Sequence, residues 1–237
     1  MKRSLWAAIL WLVAQPAWSV DWLPHVEYAD RHFEYTSGPG QLNGTTFSLG
    51  LGLTATHERF YLDLTAERNF SASEESTSGD LIPNSVADTV TFDRRDTALT
   101  LGYGVSELTS VFAGYKSGKT TITAAGNSPF VGNAISLTGA GPFIGAGAGW
   151  KVRDWGILSF SAAYADLDAE YSSPVQLAQG QASGTSLALH WKGELLPRLQ
   201  YRIALSRHDY DYKNFDQFTG RISENILSYT LGISYRF

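Results

Sequence analysis

The sequence predicts an all-β fold, a closed antiparallel up-and-down transmembrane barrel of about ten strands, with eight as the smaller alternative. Three observations lead there. Apolar residues recur at every second position in segment after segment, the signature of a strand with one apolar face. Short turns and longer polar connections alternate between those segments. Beyond residue 19 no apolar run approaches the roughly 20 residues of a spanning helix, whereas a spanning strand needs about 9 to 11 with only every second one apolar. The slightly negative mean hydropathy, −0.14, agrees with that sparse apolar usage.

The chain opens with Lys2 and Arg3, an apolar run from Leu5 through Val13, a helix-breaking Pro16, and Ala17 and Ser19 on either side of Trp18. This is the pattern of a secretory signal peptide over residues 1–19, cleaved near Ser19. Residues 20–237 then form one domain, with no linker or duplication visible. Removing Lys2 and Arg3 takes the formal charge from −5 to −7, which argues against a nucleic-acid partner. Cysteine is absent, so there is no disulfide framework, no lipid-bearing Cys and no thiolate chemistry.

The strands follow in order. A less regular first one lies around residues 25–35, and a clear second has Phe47, Leu49, Leu51, Leu53 and Ala55 against Ser48, Gly50, Gly52 and Thr54. After a tight turn near His57, Phe60, Leu62, Leu64 and Ala66 form the apolar side of a third. Segments 97–105 (Leu99, Leu101, Tyr103), 109–116 (Val111, Ala113, Tyr115) and 143–152 (Ile144, Ala146, Ala148, Trp150) come next. Leu158, Phe160, Ala162 and Tyr164 mark another, then Thr185, Leu187, Leu189 and Trp191, then Leu199, Tyr201, Ile203 and Leu205. The last twelve residues, 226–237, alternate to the end of the chain.

Short turns are expected near His57 and at 106–108, 153–156 and 193–197, and longer polar loops at 71–93, 118–138, 172–183 and 212–223, with a shorter one at 37–43. An even number of strands puts both termini at the end that carries the short turns.

Alternation alone does not say which face meets water, and a soluble barrel or sandwich has the same period. Composition separates the two. A water-exposed sheet face carries Lys, Arg, Glu and Asp at about a quarter to a third of its positions. Here, instead, alternate strands offer mainly Gly, Ser, Thr and Ala on the polar side, at 44–52, 98–104, 145–149, 184–188 and 228–234. Such a face suits a crowded lumen. The apolar side carries Trp150, Trp191, Tyr201, Tyr235 and Phe237 near the turn ends and Tyr103, Tyr115, Tyr164 and Tyr229 elsewhere, as expected of rings at a membrane interface.

In the last strand, Tyr235, Arg236 and the terminal Phe237 follow Leu227, Tyr229, Leu231 and Ile233. With the signal peptide, the cysteine-free mature chain and the alternating turns and loops, this resembles the small outer-membrane β-barrel proteins of Gram-negative bacteria. The resemblance implies residence in the outer membrane among its lipid and lipopolysaccharide. It also implies insertion by the barrel assembly machinery, with Tyr235 and Phe237 as the signal that is read. It leaves oligomeric state open, and pores, adhesins, enzymes and structural barrels all share this architecture.

The inward face by this alternation holds Asp63, Glu67, Arg94, Asp96, Lys116, Lys151, His190, Arg202, His208 and Arg236. Buried charges of mixed sign pair with one another, which closes an interior, and a ring of about ten strands lies near the filled end of the barrel series. Tyr61, Glu67 and Arg202 have small neighbours over which to reach across.

At the end with the longer loops, Asp166, Asp168 and Glu170 follow one strand and His208, Asp209 and Asp211 another. Omptin-type proteases are ten-stranded and use aspartates with a His–Asp pair at that rim, so Asp166, Asp168, His208 and Asp209 are the candidates for a rim hydrolase that activates water. Lipid A deacylase barrels use a His and a Ser, and Ser206 with His208 is the nearest pair.

Asp209, Asp211, Asn214 and Asp216 lack the Gly and distal Glu of an EF-hand loop, and the glycines from Gly139 to Gly149 lack the Lys and helix of a phosphate loop. Asn43 and Asn69 stand in glycosylation sequons that a bacterial location leaves unused. No metal or cofactor is expected. The leading function is a non-enzymatic barrel, structural or a narrow porin-like channel for small solutes. Surface binding through the loops is the second, and a rim hydrolase the third.

Overall fold

A computed structural model describes residues 20–37, 40–70, 72–75, 89–125, 134–217 and 221–237. The segment 1–19, expected to be a signal peptide, lies outside the described residues, as do parts of the expected loops at 71–93, 118–138 and 212–223. Among the described residues there are eleven strands: β1 Asp21–Ser37, β2 Gly40–His57, β3 Phe60–Asn69, β4 Ala72–Glu75, β5 Thr89–Gly104, β6 Thr109–Ala125, β7 Ala134–Lys151, β8 Ile157–Ser173, β9 Gln176–Leu196, β10 Leu199–Lys213 and β11 Ile222–Tyr235.

All pair antiparallel with their neighbours, and β1 pairs with β11 from His25↔Ser234 to Ser37↔Ile222, which closes the ring. Both β3 (Phe60↔Tyr103 to Arg68↔Arg95) and β4 (Ala72↔Phe92 to Glu75↔Thr89) pair with β5, so they are two pieces of one stave. The barrel therefore has ten staves. Through the terminal half each stave is hydrogen-bonded to a neighbour on both sides, the condition for a sheet to cross lipid.

One end carries both termini and the tight turns after β2, β5, β7 and β9, and is called here the terminal end; the other is the loop end. The turns suit their residues. Glu58 and Arg198 take positive φ (52° and 73°) in two-residue hairpin loops. Gly156 leaves the Arg153–Trp155 turn at φ 135°, where an added Cβ would lie 2.1 Å from the Lys192 carbonyl, so only glycine fits.

Most staves change character once along their length. In β8, Phe160 and Tyr164 face outward at the terminal half, whereas at the loop half Asp166, Asp168 and Glu170 face outward and Ala165, Leu167 and Ala169 are buried inside. In β10, Ile203 and Leu205 face outward, then Arg207 and Asp209, with Tyr210 and Tyr212 buried inside. The terminal half is thus apolar outside and polar inside, and the loop half is the reverse.

The outer belt of the terminal half exposes Leu51, Leu101, Ile144 and Leu231 by 56–66 %. An apolar surface that runs around a whole ring belongs in lipid, not water. Tyr28, Phe47, Tyr115, Tyr164 and Tyr229 bound it on the loop side, with Tyr28 stacked on Phe47 at 5.7 Å, and Trp22, Trp150, Trp155 and Phe237 bound it on the other. On β2 the belt runs from Phe47 to Ala55, nine residues, which is one spanning strand.

Three sequence expectations are corrected. Of the polar loop expected at 118–138, residues 118–125 continue β6 and 134–138 begin β7. The segment 172–183, expected as a polar loop, is a turn at Pro174 and Val175 followed by strand. Gln179 and Gln181 face water above the belt there, and Ala178 and Ala182 face the core. The interior is also not polar throughout: Phe33, Leu42, Phe92, Ile122, Leu137, Leu167, Tyr212 and Ile222 belong to one buried cluster that fills the loop half. Full burial contributes about 1.5–3 kcal/mol for each such aliphatic or aromatic side chain.

Candidate functional site

The lumen has three levels. Midway, where the apolar parity changes, charged side chains from β1, β3, β5, β6 and β11 meet across the interior, with hydroxyl groups from β2, β6 and β10. Arg94 on β5 donates from Nε and Nη2 to the two oxygens of Asp96, 2.9 Å each, a bidentate pair. Its Nη1 lies 2.6 Å from Glu224 Oε1 on β11 and 2.8 Å from the Thr120 hydroxyl. Thr120 and Tyr212 donate to the two Glu224 oxygens at 2.6 and 3.2 Å.

Arg31 on β1 donates to Asp96 at 2.9 Å and to Glu67, which also accepts from Ser48. Lys116 donates to the Tyr210 hydroxyl and sits 4.7 Å from that ring's centroid. Three cations, Arg31, Arg94 and Lys116, thus face three carboxylates, Glu67, Asp96 and Glu224, and the layer is neutral. Neutral pairing with hydrogen bonds on most donors is the condition under which buried charge is tolerated.

Small residues make the room. An added Cβ at Gly118 would lie 2.7 Å from Asp96 Oδ1, and one at Gly184 would lie 2.9 Å from the Tyr210 ring. Above the layer, toward the loop end, lies the apolar cluster. Arg94 joins the two levels, with its guanidinium carbon 5.9 Å from the Phe33 centroid and 5.6 Å from that of Tyr210.

Below the layer, toward the terminal end, lies a chamber of about 550 Å³ whose lining includes Glu27, Tyr61, Asp63, His190, Lys192 and Arg202. Glu27 pairs with Arg202, and Asp63 accepts the Thr54 hydroxyl at 2.6 Å. His190 Nδ1 and Arg202 Nε are buried without a hydrogen-bond partner among the described residues. Thr56, Gln200 and Ser234, next to the turns and the carboxyl terminus, also line it, so it opens at the terminal end.

The sequence-derived lumen residues fall into three groups. Glu67, Arg94, Asp96 and Lys116 meet in the charged layer, whereas Asp63, His190 and Arg202 line the chamber. Lys151 is at the mouth rather than in the lumen. Its side chain is 62 % exposed and pairs with Glu107 of the β5–β6 turn at 3.0 Å, which holds that carboxyl below its usual range. Arg236 lies beyond the end of β11, exposed, with its backbone N–H on the Arg198 carbonyl at 2.8 Å. Tyr61, expected to reach across, packs over Gly102, where an added Cβ would fall 2.0 Å from Cζ.

The rim constellation does not assemble. Asp166, Asp168 and Asp209 are on the outer face, whereas His208 points inward, and the period of two puts the barrel wall between them. Asp209 instead takes Arg207 at 3.0 Å and Asn225 at 2.6 Å. His208 Nδ1 lies 2.8 Å from the hydroxyl of Ser186 on the neighbouring β9, not on Ser206, and its ring stacks on Tyr210. Asp211 pairs with Arg221, and Asp216 accepts the Gln179 N–H. No cluster of His, Asp or Glu among the described residues has metal-site geometry.

Sequence reasoning missed Glu27, Arg31, Lys192, Tyr210 and Glu224. The inward parity of Lys192 follows from that of His190, and the signal was available. Glu27 and Arg31 sit in a first strand whose apolar pattern changes phase at Ala29, which hid their side.

No family model matches the chain, and no curated protein matches it. Among solved structures it is similar to the outer membrane protease OmpT from Escherichia coli, with a TM-score of 0.64 at 11 % identity over 94 % of this chain and 99 % of that one. It is also similar to the translocator domain of the autotransporter NalP from Neisseria meningitidis, with a TM-score of 0.51 at 13 % identity over 99 % of this chain and 94 % of that one. The shared feature is the fold, that of Gram-negative outer-membrane β-barrels.

Proposed function

We propose that the chain is an integral, non-enzymatic barrel of the bacterial outer membrane whose lumen is closed to solutes, a structural platform rather than a porin-like channel. The observation that carries this reading is the continuous obstruction of the lumen by the Arg31–Glu67–Asp96–Arg94–Glu224 layer and the apolar cluster stacked on it. A solute would have to break buried ion pairs and then cross a packed core.

The terminal end faces the periplasm in this reading, after cleavage near Ser19 and insertion by the barrel assembly machinery. Outer-leaflet lipopolysaccharide meets the loop-side edge of the belt. Arg68, Arg95 and Lys119 support that placement: they are successive register partners on β3, β5 and β6, one outward row just above the apolar residues. Asp93 on the same outer face takes Arg68 at 2.8 Å and Arg95 at 3.2 Å, so one carboxylate stands against three cations and the row keeps a net positive charge for anionic headgroups.

The decisive measurement is single-channel recording of folded protein in planar bilayers. The wild type is expected to give no discrete openings, and reproducible unitary currents would overturn the proposal. A second reading, surface binding at the loop end, is favoured by the loop half of the barrel standing clear of the belt with a charged exterior. Replacing residues 76–88, between β4 and β5, by a short turn and measuring adhesion of cells carrying the folded barrel tests it.

A further inference from the structure

The charged layer leaves the chamber beneath it as a compartment with a single mouth, and its lining charges are distributed in an unusual way. Glu27 and Arg202, on staves two apart, neutralise each other. Asp63 on β3 and Lys192 on β9 do not. They are five staves apart in a ring of ten, on opposite walls of the same cavity, and neither has an ion-pair partner within 4.0 Å among the described residues. The only hydrogen bond to the Asp63 carboxylate described is the one from Thr54.

The Lys192 wall carries more unused donor capacity. Lys192 is the register partner of Arg202, a like-charge pair side by side on one sheet face, and the Glu27 carboxylate on Arg202 offsets only one of the two charges. His190 follows on the same face with its buried Nδ1 unpartnered, and so is Arg202 Nε. Tyr61 and Phe112 supply apolar lining between the charged walls. A volume of about 550 Å³ falls among small-molecule sites, which run from about 300 to 1,000 Å³.

We infer that the chamber binds a small zwitterion of amino-acid type, free or as a short peptide, with its carboxylate at Lys192, Arg202 and His190 and its ammonium group at Asp63. A simple anion would satisfy one wall and meet the unpaired carboxylate of the other; a simple cation has the converse difficulty. A molecule bearing both charges, separated by a short apolar stretch, completes both walls and adds no net charge to the lipid-embedded half of the barrel. Because the layer above is closed, the ligand enters and leaves by the terminal end. The compartment therefore works as a receptor site, and the site would exist whether or not the layer conducts.

Isothermal titration calorimetry on the detergent-folded protein tests this with alanine, trialanine, acetate and ethylammonium at constant ionic strength. Saturable one-to-one binding of alanine or trialanine at least tenfold tighter than either singly charged probe is expected, and whichever of the two binds tighter identifies the free or the peptide form. Lys192→Gln and Asp63→Asn are each expected to weaken that binding at least tenfold, whereas Lys119→Gln on the outer surface leaves it unchanged. Heat-dependent gel mobility verifies that each variant is folded. Absence of saturable binding, equal binding of acetate or ethylammonium, or insensitivity to both chamber variants would overturn the inference. Conductance is a separate readout, so failure here and failure of the closed-barrel reading are distinguishable.

Discussion

Arg94 Nη1 lies 2.6 Å from Glu224 Oε1, across the lumen from β5 to β11, with the two side chains only 3 % and 1 % exposed. The pair joins staves separated on the shorter way round by β3, β2 and β1, so it braces the ring in a direction that the backbone ladder does not.

Removing one member of such a pair strands the other as an uncompensated buried charge. Arg94→Ala is expected to cost about 3–5 kcal/mol in unfolding free energy, because Asp96 and Glu224 both lose their main cation. Glu224→Gln should cost less, since an amide still accepts from Thr120 or Tyr212. Arg207→Ala, whose Asp209 partner is on the exposed outer face, should cost the least of the three, because water screens that pair. Urea titration in lipid, scored by heat-dependent gel mobility, ranks the three, and equal losses would contradict the brace.

If this level closes the lumen, shortening its aromatic members should open it. Tyr210 holds the Lys116 ammonium and Tyr212 holds Glu224, so the double variant Tyr210→Ala, Tyr212→Ala removes both lids from the charged layer. Discrete currents are expected in planar bilayers from this variant. Adding Lys116→Glu should then shift its reversal potential toward cation selectivity, because Glu67 and Asp96 face the same passage. Silence from a folded double variant would place the obstruction elsewhere.

The strands were legible because a stave in lipid needs a period of two, and Phe47 to Ala55 or Leu199 to Leu205 cannot be read otherwise. The closed interior was legible only by half. In β8 the apolar positions pass from Phe160, Ala162 and Tyr164 to Ala165, Leu167 and Ala169, a shift of one residue that moves the apolar face from outside to inside. Read as one face throughout, that shift looks like the end of a strand, which is why 172–183 reads as a loop and the sequence pattern does not display the apolar core.

The Asp–His rim constellation does not assemble for the same reason. Asp166 and His208 are near each other in level along the barrel, yet the parity of their strands puts them on opposite sides of the wall. The partners of the charged layer were hidden more deeply, since Arg31 and Glu224 meet Arg94's neighbours and Arg94 itself only after the ring has closed.

Glycine at 184 should be selected by one ring. An added Cβ there would lie 2.9 Å from both Tyr210 Cδ1 and Cε1, closer than such atoms approach, so Gly184→Ala must displace the ring that holds Lys116. A loss of about 1–3 kcal/mol is expected, as for overpacking in other cores. At Gly104 the same atom would have nothing nearer than 3.5 Å, and Gly104→Ala should stay within about 0.5 kcal/mol of wild type. Denaturant midpoints of the two single variants check the contrast, and equal effects would mean that Tyr210 is not fixed by this contact.

Phe237 should matter for delivery more than for the finished barrel. Its ring is 71 % exposed and touches Tyr235 at 4.9 Å, and its backbone N–H donates to the Trp22 carbonyl at 3.0 Å. Deleting it removes one hydrogen bond beyond the last strand pair, worth about 0.5–1.5 kcal/mol against thirteen register pairs between β1 and β11 that stay intact. Refolding from urea into detergent should therefore proceed with nearly wild-type yield. In cells, by contrast, the deletion takes away the terminal aromatic that the assembly machinery is expected to read, while Tyr235 stays in place. Outer-membrane levels should fall severalfold, with periplasmic degradation fragments by immunoblot. The two measurements separate the roles: a matching defect in refolding would make Phe237 a structural residue, and normal insertion in cells would show that the route into the membrane does not depend on it.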